Sequence, residues 1–157
     1  MKAKEAEFLG LIEQHQGILH KICRMYRNTK AEREDLFQDM MYQLWKSYPS
    51  FRRESRFSSW MYRVALSTAI AKYKKPQLKT SSSYEQEPIA DQETDNEQRD
   101  ALHIAIKRLN PVEKAIMSLY LEDYPYQEMA EILGISVNLV GVKLNRIRKK
   151  LKELLNS

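Results

Sequence analysis

From Pro76 to Asp100 the chain reads PQLKTSSSYEQEPIADQETDNEQRD: two prolines, a run of serines, seven acidic residues and few large apolar ones. Such a stretch cannot bury enough apolar surface to offset the entropy of ordering it. Whatever folds must therefore fold on either side of it, as two blocks. The expected boundaries are residues 1–75, a flexible acidic linker at 76–97, and residues 98–157.

Both blocks read as helix. The chain has four Gly and five Pro, and it favours Lys, Glu, Leu, Gln and Met, so hairpin turns are scarce and helix propensity is high. The expected fold class is all-α, with two small helical domains joined by the acidic linker. Pro49, Pro76, Pro88, Pro111 and Pro125 punctuate the chain between apolar-periodic segments. In the first block, Phe8, Leu11, Ile12, Ile18, Leu19, Ile22 and Met25 form one stripe of a helix from Ala3 to about Arg27. Thr29 with Glu32 has capping-box spacing and starts a second helix that runs to the Pro49 break. A third spans Ser58 or Ser59 to Lys74. The second block has four shorter helical segments: Gln98–Leu109, Pro111–Leu121 behind an Asn110 cap, Tyr126–Leu133, and Val137–Leu154.

The net charge of +5 is unevenly spread. Residues 1–75 carry 15 basic and 8 acidic side chains, net +7; residues 76–100 are net −5; residues 101–157 are net +3. Two basic blocks around an acidic middle suit two surfaces that face a polyanion, or two solvated basic faces.

The second block ends in EILGISVNLVGVKLNRIRKKL. A helix-turn-helix needs a small residue where its helices approach, a residue that turns with positive φ, and apolar positions that seat the second helix. Ala130, Gly134 and the stripe Ile135, Val140, Leu144, Ile147 and Leu151 supply them, with Ser136 as the cap of the second helix. Helical geometry then turns Asn138, Gly141, Val142, Asn145, Arg148 and Lys152 outward as groove-facing candidates. Arg146, Arg148, Lys149 and Lys150 suit phosphates near the helix end.

Two faces stand out in the first block. In DLFQDMMYQLW, Leu36, Met40, Leu44 and Phe37 point to the core, leaving Asp35, Gln38, Asp39 and Tyr42 at i, i+3, i+4 and i+7. An acidic, amide-bearing face in a basic half fits docking on a basic protein surface, or simple solvation. Next comes FRRESRFSSWMYRVALSTAIAKYKK, where Phe51, Phe57, Trp60, Tyr62 and Tyr73 alternate with Arg52, Arg53, Arg56, Arg63, Lys72, Lys74 and Lys75. Rings that stack on bases among cations that track phosphates suit single-stranded nucleic acid. Trp60, Val64 and Phe57 are at spacings that bury, whereas Tyr62, Arg63 and Tyr73 are expected to be exposed.

Catalysis has no home in this sequence. It contains no phosphate-cradling glycine loop, HExxH or nucleophile elbow, and no cofactor is expected. His15, His20 and Cys23 fall short of a metal set, and no metal site is expected. The single cysteine fits a reducing compartment; with no spanning run of roughly 20 apolar residues and an apolar-poor MKAKEAEF start, the chain is expected in the cytoplasm without membrane insertion.

The layout as a whole resembles the sigma factors of bacterial RNA polymerase, of the extracytoplasmic-function type: a region-two domain, a variable linker and a region-four domain. DLFQDMMYQLW looks like the segment that docks on the polymerase clamp helices, which assigns Asp35, Gln38, Asp39 and Tyr42 to contact with core polymerase. SFRRESRFSSWMYRVALSTAIAKYKK looks like the loop and helix that capture the melted minus-ten strand. That resemblance implies contacts from Phe51, Arg52, Arg53, Arg56, Tyr62, Arg63, Lys72, Tyr73, Lys74 and Lys75. LNPVEKAIMSLYLEDYPYQEMAEILGISVNLVGVKLNRIRKKL is similar to region four, implying minus-thirty-five contacts from Ser136, Asn138, Leu139, Val142, Lys143, Asn145, Arg146, Arg148 and Lys149. Core polymerase, promoter DNA and an anti-sigma factor, often membrane-bound in this family, are the implied partners.

Three departures matter. Leu66 and Ser67 replace a usual Arg-Asn, Ala71 replaces a common Asp, and Leu139, Val140, Gly141 and Val142 replace a frequent Thr-Val-Lys-Ser. Leu139 or Val142 could meet thymine methyls, and Gly141 could let the helix approach DNA closely. Two rivals make different demands. A stand-alone helix-turn-helix regulator would bind duplex DNA without polymerase. A nucleic-acid-processing enzyme would use Asp35 and Asp39 with a metal.

Overall fold

The computed structural model describes residues 2–74 and 97–156. Lys75 and the 76–96 part of the expected linker lie outside the described residues, as do the side chains of Tyr73 and Lys74. The order is α1 (Lys2–Tyr26), α2 (Lys30–Ser47), a single 3-10 turn (Tyr48–Ser50), α3 (Phe57–Lys74), α4 (Glu97–Lys107), α5 (Pro111–Leu121), α6 (Tyr126–Leu133) and α7 (Val137–Asn156). These elements form two compact units, α1–α3 and α4–α7.

In the first unit each helix packs on the other two. The α1 stripe buries Phe8, Ile12, Leu19 and Ile22 against Leu36, Met40 and Leu44 of α2, the three α2 positions read from the sequence. From α3 come Met61, Tyr62, Ala65, Leu66 and Ala69. Two fully buried alanines one turn apart let the α3 backbone sit close to its neighbours, and each buried Leu, Ile or Met contributes roughly 1.5–3 kcal/mol. The α1–α2 break is local chemistry. The Thr29 hydroxyl accepts from the Glu32 amide at 3.2 Å and donates to the Glu32 carboxylate at 3.0 Å, so the expected capping residues start α2.

In the second unit α7 is the hub, packing on α4, α5 and α6. The start of α5 is a complete capping box. Asn110 Oδ1 accepts from the Glu113 amide at 2.8 Å, Glu113 Oε1 accepts from the Asn110 amide at 2.9 Å, and Pro111 stands in the first turn. The α6–α7 connection ends α6 at Gly134, whose φ of 69° is left-handed and whose N–H donates to the Ala130 carbonyl. Ser136 Oγ then accepts from the Leu139 amide at 3.1 Å and caps α7. Turn, cap and the buried stripe Val140, Leu144, Ile147 and Leu151 match the helix-turn-helix expectation; Ile135 is half-buried at the corner.

Candidate nucleic-acid interface

With its apolar stripe seated, α7 turns one strip of residues away from the rest of its unit. Asn138, Val142, Asn145 and Lys149 are exposed and recur at i, i+4, i+7 and i+11, directly opposite the buried stripe. Leu139, Arg146 and the cap residue Ser136 border this strip, all exposed. Leu139 and Val142, 38% and 39% exposed, present apolar surface on this outward side of α7. Lys143 is half-buried on the flank.

Two of the expected outward residues are engaged within the unit. The Arg148 guanidinium lies 4.9 Å from the centre of the Tyr120 ring and donates to its hydroxyl, which braces α7 on α5. Lys150 does the same from the other flank, 3.0 Å from the Glu113 carboxylate. Gly141 is half-buried, and a Cβ added there would lie 3.9 Å from the Tyr126 ring, an ordinary contact. It is turned toward α6 rather than toward the exposed strip.

On α2, Asp35, Gln38 and Tyr42 are exposed and Asp39 half-buried, with Tyr42 at 62%. The α3 helix packs across this region and brings Lys72 to both aspartates: its ammonium is 2.6 Å from Asp35 Oδ2 and also pairs with Asp39. Lys72 was expected among the strand-binding cations, and the structure instead places it between the two carboxylates. The sequence could not show this, because the pairing joins residues 37 positions apart on two helices. It also puts a lysine where the two-carboxylate metal reading would put a cation.

The stretch after α2 forms a ring cluster. Phe51 lies 5.1 Å from Trp60, 5.6 Å from Phe57 and 6.2 Å from Tyr48, centre to centre. Phe57 is buried, as its spacing allowed, while Phe51, Trp60 and Val64 are half-buried. Arg52 and Arg63 are exposed beside these rings, Arg52 next to Phe51 in the loop and Arg63 one turn beyond Trp60 on α3; Arg56 is exposed too. The expectation for Tyr62 is corrected. Its ring is only 1% exposed, because position 62 follows Met61 into the core face that continues to Ala65, Leu66 and Ala69.

Arg53 differs from the other loop cations. Its backbone is left-handed, φ 59°, and its guanidinium pairs with Glu7 of α1. The same Glu7 oxygen accepts from the Tyr48 hydroxyl at 2.7 Å. That hydrogen bond, with Arg53 beside it, holds the Glu7 carboxyl below its ordinary range against a smaller opposing effect of burial; burial and then Glu7 raise the Tyr48 phenol. Sequence reasoning missed Glu7, Tyr48 and Tyr120. Glu7 precedes the first buried residue of α1, and nothing local links it to a partner 46 residues away.

The potential ligands on α1 run from buried Cys23 through half-buried His15 to exposed His20. Cys23 is buried and its thiol is pushed up to about 11 by that burial. His20 stacks on Phe37 at 4.9 Å, and His15 leans on Phe57 while its Nδ1 bonds the Leu11 carbonyl. Among the described residues no three potential ligands gather, and no helix is long and apolar enough to cross a membrane.

Comparison with known proteins agrees with this geometry. The Sigma-70 region 2 family matches residues 11–78, and the Sigma-70 region 4 family matches 99–151. The ECF RNA polymerase sigma factor SigM of Mycobacterium tuberculosis is 27% identical over 94% of this chain and 76% of its own length. SigW of Bacillus subtilis, also an ECF RNA polymerase sigma factor, is 22% identical over 98% and 93%. The sigma factor RpoE of Bartonella quintana, solved in complex with the anti-sigma factor NepR, shares the fold at a TM-score of 0.71, with 20% identity over 99% of this chain and 98% of that one.

Proposed function

The chain belongs to the extracytoplasmic-function sigma factors of the sigma-70 family, and on that premise we propose how its two units divide promoter recognition. Residues 1–75 dock on core polymerase and capture the melted minus-ten strand, 76–97 link, and 98–157 read the minus-thirty-five element. One observation carries this reading. A helix built to enter a duplex groove is in one unit, while half-buried rings among exposed arginines, suited to unstacked bases, are in the other.

In the second unit, Asn138, Leu139, Val142 and Asn145 face base edges. Arg146 and Lys149 meet phosphates, while Ser136 and the first free amides of α7 receive another. Lys143 reaches the backbone from the flank, and Arg148 contributes from its seat on Tyr120. In the first unit, Phe51 and Trp60 stack on unpaired bases while Arg52, Arg56 and Arg63 track phosphates. Tyr73, Lys74 and Lys75 are assigned to the same strand from their sequence alone. Each stacked base contributes about 1–3 kcal/mol, comparable with the few kcal/mol that unstacking costs, so binding the open strand shifts the duplex toward melting without any catalytic group. The chain therefore performs no chemistry of its own and works in the cytoplasm beside the polymerase.

Asp35, Gln38, Asp39 and Tyr42 form the polymerase-docking face. A cognate anti-sigma factor, membrane-bound or free, holds the protein when it is idle; the RpoE neighbour is seen in such a complex. The docking test should avoid reversing both aspartates, since that would gather new cations around Lys72 and disturb α2 on α3. Tyr42→Ala removes an exposed ring at no packing cost. Co-elution with sigma-free core polymerase is expected for the wild type and is expected to weaken at least fivefold for the variant, the scale of an interface tyrosine worth about 1 kcal/mol or more. Unchanged affinity would move the docking face elsewhere, and absence of wild-type binding would end the proposal.

A further inference from the structure

We propose that Glu7 is a positioning residue for strand capture, holding the 51–56 loop from α1 through Arg53 and Tyr48. The inference rests on reading that loop as the minus-ten contact. One carboxylate oxygen takes both partners, the Tyr48 hydroxyl at 2.7 Å and the Arg53 guanidinium. Tyr48 stands where the loop begins and Arg53 at its middle, so a single atom ties the two together. Between them is Phe51, which the tie holds against Trp60 at 5.1 Å.

Arg53 shows that the loop is held rather than relaxed. An arginine at φ 59° occupies a region that residues with a Cβ enter at a cost, and such positions persist where surrounding contacts determine them. The contact here is Glu7. With its charge engaged by that carboxylate, Arg53 serves the loop's shape, and phosphate contact falls to its neighbours Arg52 and Arg63. A receptor for an unstacked base gains from being ordered beforehand, because the ordering cost is not charged against binding. Glu7 also lies outside the segment matched to Sigma-70 region 2, residues 11–78, so the tie joins an unmatched part of the chain to the matched part.

The experiment uses the full chain, first alone and then bound to core polymerase. In the free protein, Glu7→Gln is expected to speed tryptic cleavage after Arg56 about fivefold relative to a reference cut elsewhere, since cleavage follows the open population of the loop. For the second readout, wild-type holoenzyme selects its promoter from a randomised pool. Binding of the selected non-template strand is then compared with copies made abasic at one position each. The variant is expected to lose about fivefold of the preference for the intact strand while still co-eluting with polymerase. The charge-swapped pair Glu7→Arg with Arg53→Glu restores the ion pair, the Tyr48 oxygen now accepting from the introduced guanidinium instead of donating, and is expected to recover both readouts, which a merely destabilised chain would not. A Glu7→Gln protein with wild-type cleavage and wild-type preference overturns the inference, as does failure of the swap to recover either. A wild-type holoenzyme indifferent to abasic positions overturns base capture itself, and is thereby told apart from failure of the Glu7 role.

Discussion

Among the described residues three turns carry a residue in the left-handed region, at Arg53, Asp123 and Gly134, and two of them reach it by opposite routes. At the α6–α7 corner the residue is Gly134, φ 69°, and everything that shapes the turn is within a few positions: the Ala130 carbonyl that receives its N–H and the Ser136 hydroxyl that caps α7. In the 51–56 loop the residue is Arg53, φ 59°, and what holds it is a carboxylate 46 positions earlier in the chain. The first turn is encoded by its own residue types. The second is imposed from outside, so its shape depends on the unit being folded.

The sharpest way to break this contrast is to exchange the residues that carry it. Gly134→Val is expected to destabilise the second unit by about 2 kcal/mol, measured by urea unfolding, from backbone strain alone, because a Cβ there meets nothing within 4 Å. Arg53→Gly is expected to change stability by less than about 1 kcal/mol, as relief of the left-handed arginine offsets glycine's larger entropy loss on folding. It should nevertheless weaken discrimination of the intact minus-ten strand. A large stability loss from Arg53→Gly would mean that the loop is a structural element rather than a positioned one.

A smaller effect separates conformational need from mere tolerance of glycine. Gly141 is within α7, where its Cβ would meet only the Tyr126 ring at 3.9 Å. Gly141→Ala is expected to raise the stability of the second unit by up to about 1 kcal/mol and to leave band-shift affinity for duplex DNA unchanged. Weaker DNA binding by the alanine variant would restore the close-approach role.

The smallest effect is a titration. Because the Glu7 carboxyl is lower in the folded chain than its ordinary value of 4.5, the tie contributes above that value and is lost as pH falls through the lower folded one. Carbon-13 NMR of the Glu7 carboxyl should therefore show a midpoint below 4.5 in the wild type, and one closer to it in Arg53→Gly.

What sequence reading recovered follows the same line. The α2 core positions Leu36, Met40 and Leu44, the Asn110 cap, Gly134, Ser136 and the α7 stripe all obey rules that span one or two helical turns. Tyr62 and Lys72 differ because their setting is a neighbouring helix: Tyr62, a surface ring by its local pattern, lies in the α1–α3 core, and Lys72 bridges Asp35 and Asp39 across 37 residues or fewer.

By itself, then, the sequence determined the all-helical class, the helix starts and stops, the helix-turn-helix and the basic-aromatic composition of the stretch from 51 to 75. Those depend on hydrogen bonds and apolar spacing within single elements, where chain connectivity sets the geometry. Only the tertiary structure decided which exposed charges are open to a partner and which are already paired: Arg53 with Glu7, Lys72 with two aspartates, Arg148 on Tyr120 and Lys150 with Glu113. A charge has no periodicity that reveals its partner. Its pairing is settled by which helices come within a few ångströms of each other, a property of packing that no local pattern contains.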